Sequence, residues 1–423
     1  MKHKNHVKIA SESNNLWFIF VLILYFLITL MPFVAQLTGG YVLMGVNALI
    51  LISVIFCSTD TVNEYFSFLI PAILLMFFNL ANAFLSTGTI NPLYVYQLIM
   101  DFVPLVAGYW IIKTNDKKIT NILSWVLFAA LAVTVITTYI GVLANPGAAR
   151  YLATVSDSSD AYFVSLGRQN IGGFSFIYTI CIVFPMIIGF YKQKKINTIL
   201  ISIITVILIL YFLAAEYATA TMLLLIEIFL IFQSKKLTWR QILAFLLILI
   251  LVFFVFSSAI SSLFMWISEN IGSETLAERF ESAAHELSGE GSDEESDISL
   301  RKDAYLTDLQ GFSEHPLFGG WIFGEIKSGG HSYLLGILSK YGLVGIVIVF
   351  FIYKKIFVAF YLPHKEKEYF GYMIWSFIIA IFISLINTGE WYFPIAVIIP
   401  TITAFLNNAK AKEEISDEGA LDN

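Results

Sequence analysis

Residues 120–144 read TNILSWVLFAALAVTVITTYIGVLA, a run of 25 residues without a charge. It follows Lys117 and Lys118 and closes at Asn145-Pro146-Gly147. A helix needs roughly 20 apolar residues to cross about 30 Å of hydrocarbon, so this run is long enough. Backbone amides and carbonyls in lipid must find partners within the chain, which makes such a run a helix. Similar runs recur on both sides of it, and we read spans at 16–37, 41–57, 65–86, 93–112, 120–144, 171–191, 196–215, 219–233, 241–265, 332–353, 370–387 and 391–407. The fold class predicted is all-α: a polytopic integral membrane protein of about twelve transmembrane helices. Composition agrees, with 423 residues that are 58% hydrophobic, 16% aromatic and 13% charged, and a mean hydropathy of +0.78. Soluble domains carry about 25% charged residues. A large soluble core would also need short amphipathic segments that are missing here.

The loops between these spans alternate in charge. With the N-terminus taken as cytoplasmic, the inner segments carry 18 of the 25 basic residues, among them Lys113, Lys192, Lys235, Lys354 and Lys410. The outer segments carry six: Arg150, Arg168, Arg279, Arg301, Lys302 and Lys327. Lys340 falls inside a span. This bias is what the positive-inside rule asks of an even span count with both termini cytoplasmic. Lys2, Lys4 and Lys8 precede an apolar run too long for a signal-peptide core, so the first span is expected to stay as an anchor. Both cysteines, Cys57 and Cys181, sit in spans, so no disulfide staples an outer loop. The organisation predicted is membrane helices one to nine over 1–265, an extracytoplasmic loop over 266–330, helices ten to twelve over 331–408, and a disordered cytoplasmic tail over 409–423.

Four of the five arginines lie outside, whereas the inner side has 17 lysines and one arginine. Arginine is favoured where a planar fork must grip phosphate or carboxylate with two bonds. The bias is either small-sample chance or the mark of an outer face that binds phosphate. In the large outer loop Leu276, Phe280, Ala283 and Leu287 recur at helical spacing, the pattern of a helix lying on the membrane surface. Residues 288–299 are rich in Ser, Gly and acid and read as a mobile hinge. A second helix runs from Arg301 through Tyr305 and Leu309 and stops at His315-Pro316, because the residue before proline is pushed out of helix.

Motifs of soluble enzymes are absent: no phosphate-binding loop, no dinucleotide fingerprint, and no paired Cys or His at metal spacing. Asp157 and Asp160 lie in Ser-rich sequence that reads as solvated loop rather than metal site. An enzyme facing outward has no nucleotide sugar or ATP and needs a donor that is already activated, such as a lipid-linked diphosphate. His331, in Gly-Gly-His-Ser-Tyr333, opens the tenth span. The positive end of that helix favours a neutral ring, a plausible general base. The same position suits a histidine that merely anchors a span among headgroups. Arg301 is placed to hold a cation over the membrane mouth, or to pair with the acidic run before it. Arg168, in Gly-Arg-Gln-Asn170, has snorkelling to headgroups as its default reading. Arg150 and Arg279 repeat that argument more weakly. Asp101, Glu227 and Lys340 lie within spans, where they either line a cavity or bond helix to helix.

The stretch Arg301-x-x-Ala304-Tyr305, Phe312-x-x-His315-Pro316-Leu-Phe-Gly319-Gly320, Gly330-His331-Ser-Tyr333 and Lys340-Tyr-Gly342-Leu-Val-Gly345 resembles the signature of the O-antigen ligase/polymerase (Wzy/WaaL-type) superfamily. The signature covers about a tenth of the chain, and the hydropathy plan extends the likeness over most of it. The resemblance implies a glycosyltransferase in the bacterial cytoplasmic (inner) membrane, its site facing outward, that needs no metal or other cofactor. Its donor and acceptor would be undecaprenyl-diphosphate-linked oligosaccharides. The histidine matching His331 would act on the acceptor hydroxyl, and Arg301 would hold the diphosphate with Arg168 or Arg279. We place Arg150, Tyr333, Tyr305 and Asn170 in the same candidate substrate-binding set. Further partners implied are the lipid bilayer and other export proteins such as a chain-length regulator; nucleic acid is not among them.

The chain departs from that pattern in three places. Ser332 stands where many relatives have Asn, Ala215-Glu216-Tyr217-Ala218-Thr219 lacks a Ser-Arg pair, and Lys340 stands where an acid is common. A repeat-unit polymerase for a surface polysaccharide (O-antigen, capsule or exopolysaccharide) is the reading favoured. A ligase that moves the finished glycan to another acceptor is the alternative within the family. A flippase for lipid-linked oligosaccharide is the alternative outside it, although it would bury several basic residues in its spans and need no large outer loop.

Overall fold

The structure, a computed structural model, describes residues 2–55, 59–89, 91–114, 116–145, 148–154, 160–215, 217–232, 257–270 and 297–407, with scattered positions between 240 and 285. All regular structure among these residues is helical: α1 (Lys2–Leu30), α2 (Pro32–Ile55), α3 (Thr59–Thr87), α4 (Pro92–Met100), α5 (Val103–Thr114), α6 (Lys117–Ala144), α7 (Ala148–Thr154), α8 (Ala161–Arg168), α9 (Phe174–Lys192), α10 (Thr198–Ala214), α11 (Ala218–Phe232), α12 (Ser257–Asn270), α13 (Asp297–Glu314), α14 (Tyr333–Ile356), α15 (Phe370–Ile386) and α16 (Pro394–Asn407). Six helical stretches among the described residues are long and apolar enough to cross a membrane: Pro32–Val54, Asn63–Leu85, Tyr94–Lys113, Lys117–Ala144, Phe174–Lys192 and Tyr333–His364. Five shorter apolar helices stand where further spans are expected, at Leu16–Leu30, Thr198–Ala214, Thr219–Ile228, Phe370–Ile386 and Pro394–Asn407. The ninth expected span, 241–265, lies mostly outside the described residues, as do the tail after residue 407 and half of the surface helix expected at 276–287. Of that helix Phe280 is described, and it packs with Phe264 and Ala284 in a small separate cluster.

Four boundaries differ from the sequence reading. The first span does not run to residue 37. It stops at Leu30, because Pro32 has no amide to continue a helix and is suited to begin one. The gap left between the first two spans, residues 38–40, falls inside α2, where Gly39 is a kink with φ 71°. The span read at 93–112 is broken at Asp101-Phe102 into α4 and α5. The hinge expected at 288–299 ends earlier than predicted, since residues 297–299 already belong to α13; residues 288–296 lie outside the described part. The helix expected from Arg301 to the His-Pro pair is present and stops at Glu314.

One large core fills the bundle and includes Phe26, Tyr178, Tyr211, Phe184, Tyr361 and Tyr372, each fully buried. At one end of the bundle α3 is tied to α5 by Lys113–Glu64 (2.5 Å), and the starts and ends of the last two helices meet through Tyr369 and Asn407 (2.7 Å). The opposite end gathers α7, α8, α13 and the 315–332 and 387–393 loops.

Asn170 shows how that end is fixed. It has φ 59° and is buried. Its Oδ1 accepts the Phe33 N–H (3.1 Å), and its Nδ2 donates to Thr134 Oγ1 (3.2 Å) and Thr137 Oγ1 (2.9 Å). The side chain thus fastens the start of α2 to α6, with both amide hydrogens engaged, and it is not on the wall of either cavity described below. Asn170→Ala should cost about 2–4 kcal/mol of stability, because it strands a buried amide and puts a Cβ residue without a polar side chain in the left-handed region. Thermal unfolding in detergent measures that loss.

Candidate functional site

The motif Arg301-x-x-Ala304-Tyr305 continues in structure to Asp308 and Gly311, and these positions recur on one face of α13. Gly329 lies against the Ala304 backbone, which a Cβ on Gly329 would strike. Tyr305 donates its hydroxyl to the Ile386 carbonyl (2.8 Å) at the end of α15. Asp308, fully buried, accepts the Gly329 N–H (3.0 Å) on Oδ1. Arg301 is half-buried, within electrostatic reach of the Tyr178 hydroxyl. Tyr178 in turn meets the side chains of Asn387 and Thr219.

Helix α14 begins where the sequence places the tenth span, with one difference. Its N-cap is Ser332, whose Oγ accepts the Leu335 N–H (3.0 Å), and His331 stands one residue earlier, exposed. Ser and Asn serve equally well as N-caps, so Ser332 starts the helix as the Asn of the proteins it resembles would. The Tyr333 N–H donates to the Asn387 carbonyl (3.0 Å), and its hydroxyl lies 3.3 Å from that of Tyr392. Tyr305 and Tyr333 therefore bond to the Ile386-Asn387 junction, where one short loop, Asn387-Thr388-Gly389-Glu390-Trp391, begins, and Arg301 approaches it through Tyr178. Trp391 holds that loop in place with φ 55° and its ring beside Phe174 (6.1 Å) and Tyr178 (5.7 Å).

Beneath this loop is a cavity of about 390 Å³, with Asn79, Asp101, Ser332, Lys340, Tyr341 and Glu390 on its wall. A second cavity of about 290 Å³ lies on the other side of the loop and shares Asp101, Gly389 and Glu390. His331 is not itself on the wall, although Gly330 and Ser332 on either side of it are. Asp101 and Lys340 line the cavity, as one of the two readings of each allows. Glu227 differs: it is fully buried, and neither carboxylate oxygen has a hydrogen bond among the described residues, so the helix-to-helix bond expected of it is not found there. Burial raises the Glu390 carboxyl above its ordinary range.

The other candidates are scattered or undescribed. Arg168 is exposed in the last turn of α8 and is not part of the cavity wall. Arg150 is on α7, next to Ala149, whose carbonyl accepts the Tyr217 hydroxyl (2.9 Å); its side chain lies outside the described part. Arg279 also lies outside it. Asp160 caps α8, accepting the Phe163 N–H (2.8 Å) and the Tyr151 hydroxyl (3.0 Å), in keeping with a structural rather than a metal-binding part. Among the described residues no three His, Cys, Asp or Glu side chains gather as a metal site would require. Sequence reasoning missed Asp308 and the 387–391 loop. An acid and a tryptophan in a five-residue polar break between two apolar runs was the available signal for the loop. Compared with known proteins, the chain matches no family model and no curated protein.

Asp308 gives a test that separates charge from structure. Burial pushes its carboxyl up, against the pull of the Gly329 amide, Ser328, Lys340 and His331. An aspartate whose folded pKa lies above its unfolded value contributes stability while protonated, at low pH. That contribution is lost as pH rises through the folded pKa. Asp308→Asn keeps an acceptor for Gly329 and removes the titration. Its thermal stability should vary less with pH above about pH 4 than that of the native chain, and at neutral pH it should be equal or higher. A lower neutral-pH unfolding temperature would mean that the carboxylate's charge itself holds the turn.

Proposed function

We propose that this chain is a membrane glycosyltransferase that polymerises undecaprenyl-diphosphate-linked repeat units at the outer face of the bacterial cytoplasmic membrane. The observation that carries the reading is the 387–391 loop, its start held by Tyr305 and Tyr333 and approached by Arg301 through Tyr178, beside a cavity that has the His331 turn at its rim. The topology proposed with it is twelve spans with both termini cytoplasmic. It is supported by the eleven apolar helices that stand at expected spans and by the lysines that cluster at the end of the bundle away from the cavity.

In this mechanism the acceptor hydroxyl gives its proton to His331 and attacks the anomeric carbon of the donor. The bond from that carbon to the diphosphate oxygen breaks, and Arg301 meets the charge that builds on the leaving group. Both sugars are held in the cavities on either side of the loop, so the two reacting groups meet without a bimolecular search.

The test uses purified full-length protein with a native lipid-diphosphate repeat unit, without metal or nucleotide, and resolves products by size. A ladder in steps of one repeat, absent with His331→Ala, is the expected result. One-step transfer that appears only when a second acceptor is added would assign a ligase instead. Lipid scrambling in liposomes with neither product would assign a transporter.

A further inference from the structure

The segment His315–Lys327, HPLFGGWIFGEIK, belongs by sequence to the outer loop over 266–330, and its backbone is bonded to the middle of α14. The Leu343 N–H donates to the Pro316 carbonyl (2.9 Å) and the Val344 N–H to the Leu317 carbonyl (3.2 Å). Those amides lie ten residues and more beyond Tyr333, about 15 Å along the helix axis. They are free to accept this turn because α14 is kinked at Gly342, with φ 62° and ψ −155°. Irregular backbone at membrane depth is tolerated where protein covers it, and here the turn supplies the cover.

The side chains of the turn point away from that contact. Leu317 (60%), Phe318 (48%), Ile322 (46%) and Phe323 (60%) are all exposed, four large apolar groups within seven residues. They continue the exposed apolar sides of two helices that are long enough to span: Leu343, Val347 and Phe350 on α14, and Phe77 and Phe84 on α3. Trp321 bridges the turn to both, its ring 5.3 Å from Phe78 and 6.2 Å from Tyr341. Above the apolar tip is an ionic collar. Lys327 pairs with Glu314 (2.5 Å), and His315 Nε2 lies 3.4 Å from Glu325. The Lys327 carbonyl accepts the Ser339 hydroxyl, which sets the collar three residues, or about 5 Å, above Gly342 on the α14 axis.

We infer that the Leu317–Phe323 tip is seated in the bilayer, its apolar side chains among the acyl chains of the leaflet nearest the cavity and its ionic collar among the headgroups. The occupant is lipid rather than a protein partner because the patch has no edge of its own. It runs without a break into surfaces of α3 and α14 that a membrane must cover. An apolar tip below charged groups is also the side-chain order of the headgroup boundary. The consequence is positional: the Gly329–His331 turn, a few residues beyond the collar, is held close to headgroup level whatever reaction takes place there.

The test uses the full chain in nanodiscs, with Cys57 and Cys181 replaced by alanine and single spin-labelled cysteines introduced. Phe318→Cys and Phe323→Cys should match Val347→Cys, with frequent collisions with oxygen and collisions with a water-soluble nickel chelate several-fold fewer than at Glu325→Cys. Ile322→Cys provides a second reading of the same face should one label perturb the turn. Nickel accessibility at 318 and 323 equal to that at 325 would overturn the proposal. So would low accessibility to both reagents, which would mean that a second copy or another protein covers the tip.

Discussion

Arg301→Ala should lower turnover on a lipid-diphosphate substrate by about two to three orders of magnitude, the usual effect of removing one preorganised donor from developing charge. The helix that carries Arg301 is held by other residues: Ala304 against Gly329, Tyr305 on the Ile386 carbonyl, Asp308 on the Gly329 amide, and Gly311 against Ser339 and Lys327. Removing the guanidinium therefore leaves the docking of α13 in place, and thermal stability should change by no more than about 1 kcal/mol. Arg301→Lys should recover only part of the loss, because an ammonium is a point charge and cannot grip a diphosphate with two parallel bonds. The measurement is kcat for the three proteins, with the unfolding temperature of each as control. Full turnover in Arg301→Ala would remove Arg301 from the mechanism. A loss of turnover that followed a loss of stability would make it a structural residue.

The face of α13 was half legible in the sequence. Arg301, Ala304 and Tyr305 follow helical spacing, and the proline after His315 announces the helix end, so the element and its first docked residues could be read. Asp308 could not, since its role depends on Gly329, which is 21 residues away in sequence and meets it only because Ala304 and Gly329 allow close approach. Hydropathy located most of the spans for the same reason that it misplaced the ends of the first. It registers apolar runs, whereas the break at Met31-Pro32 is set by a missing amide and by the Leu30 carbonyl, which accepts the Thr134 hydroxyl (3.0 Å) on another helix. The structural part of Asn170 was not legible, because its partners Phe33, Thr134 and Thr137 are remote in sequence. The two glycine-rich pieces of the signature, Gly319-Gly320 and Gly342-Leu-Val-Gly345, could be quoted from sequence but not explained. Their spacing holds no sign that one closes on the other.

That closure gives the largest structural effect. Gly342 has φ 62°, and a Cβ built on it would stand 2.5 Å from the Leu317 carbonyl carbon and 2.7 Å from the Gly319 nitrogen. Both obstacles are backbone, so neither can rotate aside. Gly319, at φ 73°, faces the Lys340 and Tyr341 backbone across the same contact, so the two glycines are needed together. Gly342→Ala combines left-handed strain with overpacking, each costing about 1–3 kcal/mol, and should destabilise the fold by about 3 kcal/mol or more. If α14 instead straightened to relieve the clash, the Leu343 and Val344 amides would turn back into the helix and the 316–323 turn would lose its seat. A spin label at Phe318 distinguishes these outcomes. Intact docking gives the same lipid-facing signal as the Gly342 chain, at a lower unfolding temperature. A straightened helix gives a label that is mobile and open to water. Either result accounts for glycine at this position by backbone contact, with no appeal to catalysis. Native stability in Gly342→Ala, with the label unmoved, would refute the contact itself.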